Sequence, residues 1–200
     1  MILFLLSCTF DGLDESVEYS ETRQAIALTS EQPIFQEHPE AEDLNPEPNI
    51  FQMNLTAARK QHEIVDWTRD ETIVVDGYAY NDLLPGPTIR VKIGDRVVIA
   101  FQNDLDAPST IHWHGLQVPE DMDGVPWNRD PVMPGESYNY EFTVETAGTF
   151  WYHPHFDTEH QANHGLYGAF IVEDPADPEP RGIPLILDDW PFPYQDDDLN

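Results

Sequence analysis

The chain has 200 residues, one cysteine and a formal charge of −29 at pH 7. Nine basic side chains against 38 acidic ones exclude the Lys and Arg density that nucleic acid or an anionic membrane surface demands. A hydrophobic content of 40% allows one packed domain, and no apolar run approaches the ~20 residues of a transmembrane helix.

The chain opens on a short apolar run, and Leu5-Leu6-Ser7-Cys8 resembles a bacterial lipobox, in which the cysteine is lipidated after cleavage. Residues 1–8 therefore read as a lipoprotein signal, and the protein as exported, either periplasmic or held at the outer membrane or cell surface. Residues 9–50 are rich in Glu, Ser, Pro and Gln without a sustained period, which reads as an acidic, disordered linker.

From Ile50 the pattern turns to short segments of period two. A strand is expected over 72–80, and another over 88–93 with Ile89, Val91 and Ile93 on one face. Gly94-Asp95 turns the chain, and Val97, Ile99 and Phe101 line the next strand. Segment 109–115 follows, then a turn at Pro134-Gly135-Glu136. Tyr138, Tyr140, Phe142 and Val144 alternate with polar residues beyond it, and strands are expected at 148–154 and 165–173. Many short strands without a helical period indicate an all-β antiparallel sandwich or barrel over 51–174. Residues 175–182 read as a linker. A strand at 183–188 then looks like the start of a second domain over 183–200, cut short in this sequence.

Two segments carry the chemistry, His112-Trp113-His114 and His153-Pro154-His155. In a strand, residues i and i+2 point to one side, so each pair shares a face while Trp113 and Pro154 point away. Four imidazoles from two facing strands form a metal site, because neutral imidazole ligates Zn, Cu, Fe and Ni and burying it unpaired is costly. A cupin would need a glutamate soon after the first pair and a later histidine after Pro134-Gly135; Glu120 comes late and that histidine is missing. A zinc hydrolase could use Asp123 but would leave one histidine pair surplus.

His112-Trp113-His114-Gly115, with Leu116, Val118-Pro119 and Asp123-Gly124 behind it, resembles the first copper motif of multicopper oxidases. Thr149-Phe150-Trp151-Tyr152-His153-Pro154-His155 is similar to the second. The likeness extends upstream through Tyr80-Asn81-Asp82-Leu83-Leu84-Pro85-Gly86-Pro87-Thr88-Ile89 and downstream through 165–172. It implies the N-terminal domain of a laccase-like bacterial enzyme, with a cupredoxin-like Greek-key β-sandwich. It also implies copper as cofactor: His112 on the type 2 ion, His114 and His153 on one type 3 ion, and His155 on the other. Asp123 occupies the place of the family's non-ligating acid, which assists proton delivery to oxygen.

Asp106, Glu120 and Asp121 read as solvated charges, with Asp157 and Glu159 secondary. His38, His62, His160 and His164, and the aromatics Trp113, Trp151 and Tyr152, read as structural. The family's type 1 copper needs a cysteine, and the fold has none, so the resemblance implies that its ligands and four further cluster histidines lie in downstream cupredoxin domains of the same full-length chain. The expected whole couples one-electron oxidation of a small substrate (a phenol, an aromatic amine or a metal ion) to four-electron reduction of O2 to water, and these 200 residues alone are expected to be inactive. A copper nitrite reductase is disfavoured because Pro154 stands where its cysteine would be. The alternative of another class is a non-catalytic cupredoxin-like copper-binding or scaffold protein.

Overall fold

The computed structural model describes residues 38–66, 71–177 and 182–188. Eight strands form two four-stranded sheets. The first has the order β2-β1-β4-β6, built from β1 (Ile50–Asp66), β2 (Glu71–Tyr80), β4 (Arg96–Asp104) and β6 (Ser137–Thr143). The second has the order β3-β8-β7-β5, built from β3 (Gly86–Lys92), β8 (Gly168–Glu173), β7 (Gly148–His153) and β5 (His112–His114). Non-consecutive neighbours in both sheets give the crossovers of a Greek key.

Period-two alternation sends one face of each strand inward. Phe51, Met53, Leu55 and Ala57 of β1, Val97, Ile99 and Phe101 of β4, and Tyr140 and Phe142 of β6 are all buried. Ile89 and Val91 of β3, and Phe170 and Val172 of β8, complete the core from the other sheet. Trp113 is fully buried at its centre, with its ring centroid 5.1 Å from Phe142 and 5.4 Å from Tyr140.

The expected sandwich is present, with several differences from the sequence reading. The pairing is mixed, since β1 runs parallel to β4 and β3 parallel to β8. Alternation reports which face is buried but carries no strand direction. β1 is also far longer than its apolar pattern. Ile50–Ala58 pairs with β4 while Ala57–Asp66 pairs with β2, so a polar ribbon is held by backbone ladder bonds and by side-chain bonds such as Gln61 Nε2 to Asp76 Oδ1 at 2.9 Å.

Order extends back from Ile50 to residue 38, within the segment read as linker. Thr88 donates to Pro39 O, Ala41 donates to Thr88 O, and Arg90 pairs with Glu40 at 2.6 Å. Residues 183–188 keep an alternating burial pattern but form no strand. Pro184 has no N–H to donate, and a ladder needs a partner, which the described residues do not provide. A short helix α1 (Thr158–Asn163) lies between β7 and β8, in a chain whose sequence carries no helical period. Cys8 lies outside the described residues.

Tyr152 of β7 shows how tightly the sheets close. Its hydroxyl donates to Pro87 O at 2.8 Å, and it fits because Gly86 and Gly168 leave space. A Cβ on Gly168 would sit 2.3 Å from the Tyr152 hydroxyl and ζ carbon. Overpacking of this kind costs roughly 1–3 kcal/mol. Gly168→Ala should lose that much stability in urea unfolding of the whole chain, and Tyr152→Leu in the same chain should return part of it, because the two sites are in contact.

Candidate metal centre

The site is made by one register. β5 and β7 run antiparallel with His112 opposite His153, Trp113 opposite Tyr152, and His114 opposite Trp151. The large aromatics Trp113 and Tyr152 fill the core, so the pleat turns His112, His114 and His153 to the opposite face. His155 follows where β7 has ended, and its backbone N–H donates to Thr110 Oγ1 at 3.0 Å, which ties it to the segment leading into β5.

The imidazoles converge. Ring centroids of His112 lie 5.5 Å from His114, 5.3 Å from His153 and 4.9 Å from His155. Donor nitrogens of His112, His114 and His153 all fall within 4.8 Å of one another, the one such group of three among the described residues. His155 joins through its ring contact with His112 but lies outside that trio, its centroid 6.1 Å from His153.

Second partners set which nitrogen faces inward. His153 Nδ1 donates to Pro154 O at 2.8 Å, which leaves Nε2 as the lone-pair atom. His112 Nδ1 donates to Asp123 O at 3.0 Å, with Asp123 Oδ1 also at 3.1 Å. That frees His112 Nε2 in the same way. His114 Nδ1 then meets His153 Nε2 at 3.3 Å. Two nitrogens bound to one tetrahedral ion at about 2.0–2.1 Å each would be about 3.3 Å apart, so this pair fits a shared metal ion.

Desolvation favours the metal-binding, neutral form of His114, His153 and His155. Burial pushes His153 down to about 3, and the neighbouring imidazoles act in the same direction, against its bond to Pro154 O. His114 and His155 are also lowered, by burial first and then by His112. A cluster of neutral imidazoles without a thiolate or a carboxylate among its converging atoms suits a borderline ion such as copper or zinc.

Asp123 reaches the site because of its neighbours. A 3-10 turn, Glu120–Met122, delivers it, and Gly124 follows at φ +69. A Cβ on Gly124 would lie 1.9 Å from Ile111 O, so the loop can press against the chain entering β5 only with glycine there. The Asp123 carboxylate thus sits on the outer nitrogen of His112. Glu120 and Asp121 are exposed, as are Asp157 and Glu159, and Asp106 is paired with Arg59 at 2.6 Å.

Trp151 forms a wall, stacked on His153 at 4.0 Å and tilted over His114 at 4.9 Å. Trp113 and Tyr152 are core, in agreement with their reading from sequence. Sequence reasoning missed Thr110 and Trp127. Trp127, 77% exposed, sets its ring edge-on to His155 at 5.9 Å. Neither carries a periodic signal, because both lie in segments whose path is set by distant contacts.

Residues 62–177 match the family described as multicopper oxidase. Multicopper oxidase MmcO of Mycobacterium tuberculosis is 39% identical over 120 residues, covering 58% of this chain and 23% of that protein. Laccase-1 of Cryptococcus neoformans is 33% identical over 198 residues, covering 90% of this chain and 29% of that one. Among solved structures, a multicopper oxidase from Campylobacter jejuni described as a metallo-oxidase superposes with a TM-score of 0.62 at 37% identity, covering 72% of this chain and 30% of its own. The chain therefore spans less than a third of each of these relatives. The matched stretch contains both histidine pairs, the ladder that sets them face to face and the glycines that let the sheets close around them, and on that ground the chain belongs to the multicopper oxidase family.

Proposed function

We propose that this chain is the N-terminal part of an exported multicopper oxidase and contributes half of a trinuclear copper site. The observation that carries the reading is the facing of His114 Nδ1 and His153 Nε2 at 3.3 Å, beside a third donor on His112 and a fourth ring on His155. In this reading His114 and His153 share one type 3 ion, His155 serves the other, and His112 serves the type 2 ion. Copper bound here would supply one-electron redox chemistry and oxygen binding.

The protein's own part is positioning. The Asp123 and Pro154 carbonyls orient His112 and His153, burial disfavours the charged form of His114, His153 and His155, and Trp151 walls the cluster. We assign Asp123 a second role in proton delivery to reducing oxygen, supported by its carboxylate lying at the outer edge of His112. Type 1 copper ligands, four further histidines and the pocket for a reducing substrate are assigned to other cupredoxin domains of the full-length protein. That substrate is a phenol, an aromatic amine or a metal ion. The acidic N-terminal segment and Cys8 fit a tether at the cell surface.

Oxygen consumption tests the whole reading. The copper-loaded 200-residue chain should show none with a phenol or a reduced metal ion, whereas the full-length protein containing it should. Loss of turnover by at least 100-fold in His153→Ala of the full-length protein is expected, together with loss of copper. A full-length sequence without a His-Cys-His segment and further His-x-His pairs would defeat the oxidase reading and favour a copper-binding scaffold.

Asp123→Asn should retain copper, since the backbone carbonyl still orients His112, but lower oxygen turnover by about 100- to 10,000-fold, the range of general acid catalysis. Gly124→Ala should instead lose copper as well, because the clash with Ile111 O displaces that carbonyl.

The apo chain should also show a pH signature. His153 stays neutral in the fold to about pH 3, while an unfolded imidazole titrates near 6.5. Between those values the unfolded chain binds the extra proton. Stability from this group is thus complete above about pH 6.5 and falls by up to about 1.4 kcal/mol per unit as pH drops toward 3. His153→Gln lacks that slope, so the gap between its urea stability and that of the unaltered chain should shift by about 2 kcal/mol between pH 7 and pH 5.

A further inference from the structure

A second pair of histidines lies outside the copper cluster. His160 belongs to helix α1 and His164 follows it by four residues, at the C-terminal boundary of the helix. Residues i and i+4 occupy one helical face, the spacing by which helical histidine pairs grip a zinc ion. The two rings lie 4.4 Å apart, centroid to centroid.

Their surroundings repeat the logic of the main site. His164 Nδ1 donates to His160 O at 2.6 Å, which directs the Nε2 lone pair away from the helix. His160 Nε2 is in a hydrogen bond with the Tyr78 hydroxyl at 3.1 Å, which orients that ring and leaves Nδ1. Tyr78 itself is buried, and its N–H donates to His164 O at 2.7 Å, so the pair is anchored to β2 from both ends. Asp106 stands close enough for its charge to interact with His160 while ion-paired to Arg59. The net charge of −29 favours cations over anions here.

We propose that His160 and His164 form a separate surface site for a borderline divalent transition ion, copper(II) first and zinc(II) next. Affinity of imidazole sites rises toward copper(II) and falls again at zinc(II). No third ligating side chain joins the two imidazoles within 4.8 Å among the described residues, so water completes the coordination. The site is therefore exchangeable. Binding staples the last turn of α1, and through Tyr78 it links that helix to β2.

The test uses the full chain with His114→Ala and His153→Ala to disable the main cluster. Calorimetric titration with copper(II), then zinc(II), should find one remaining site. Adding His160→Ala or His164→Ala should weaken it by at least 10-fold, while His38→Ala should leave it unchanged. Equal binding with and without the two helix-end histidines would overturn the proposal, as would the lack of any site in the His114→Ala/His153→Ala chain. Should that background fail to fold, the unaltered chain answers by NMR. Zinc(II) added in excess of what the main cluster takes up should shift the ring signals of both His160 and His164 together, with zinc(II)-induced shifts of His164 lost in His160→Ala. Shifts confined to the main cluster, or persisting at His164 in His160→Ala, would equally overturn it.

Discussion

The antiparallel register of β5 and β7 is the constraint on which the site rests. Setting His112 opposite His153 also sets Trp113 opposite Tyr152, and these two aromatics point into the core. A slip of one residue would turn the histidines inward and bring the large rings out to water. The register that packs the core is thus the one that builds the metal face. Fully burying a large apolar side chain contributes about 1.5–3 kcal/mol, so the slipped arrangement is heavily penalised before any metal binds. Arrangement of the ligands is therefore a property of the folded chain itself.

That arrangement depends on close approach elsewhere. Tyr152 can lie deep only because Gly86 and Gly168 present no side chain to its ring, and Gly124 lets the loop carrying Asp123 touch the start of β5. The glycines near the two histidine segments serve packing at one end and ligand orientation at the other. Carbonyl groups of Pro154 and Asp123 then select the tautomers, each taking the N–H of Nδ1 and turning Nε2 toward the cluster. Burial adds to this by disfavouring the imidazolium form, most strongly at His153. Sterics, hydrogen bonding and desolvation all favour neutral imidazoles with their lone pairs facing one another.

How much of this was legible beforehand follows from what a one-dimensional pattern can encode. Alternation at Ile89, Val91, Val97, Ile99 and Phe101 reports burial on one face, and those residues are core. The His-x-His spacings report shared faces, so the convergence of His112, His114 and His153 could be expected from strand geometry. Strand direction is not encoded in period two, and the parallel pairings of β1 with β4 and β3 with β8 were therefore invisible. The polar half of β1 and the short helix α1 carry no apolar period. They are held by backbone ladder bonds and by buried Gln161, whose side chain bonds Ser109 Oγ and Pro108 O. Residues 38–49 were read as tail because their anchors, Thr88 and Arg90, are some fifty positions away along the chain.

The large negative charge acquires its meaning from where the neutral cluster sits within it. Each ligand that stays uncharged leaves the acidic surface without local positive compensation, so the field at the cluster remains attractive to cations. Long-range attraction is screened beyond about 8 Å at physiological ionic strength, which confines its effect to the last approach of an ion. Selection among ions then falls to the donors. The surface acids are hard oxygen ligands common to many cations, whereas the imidazoles on the β5–β7 face discriminate in favour of copper and zinc. Attraction and selection are thus assigned to different residues. That division explains how a chain with 38 acidic side chains can carry a site in which no carboxylate is among the three converging donors.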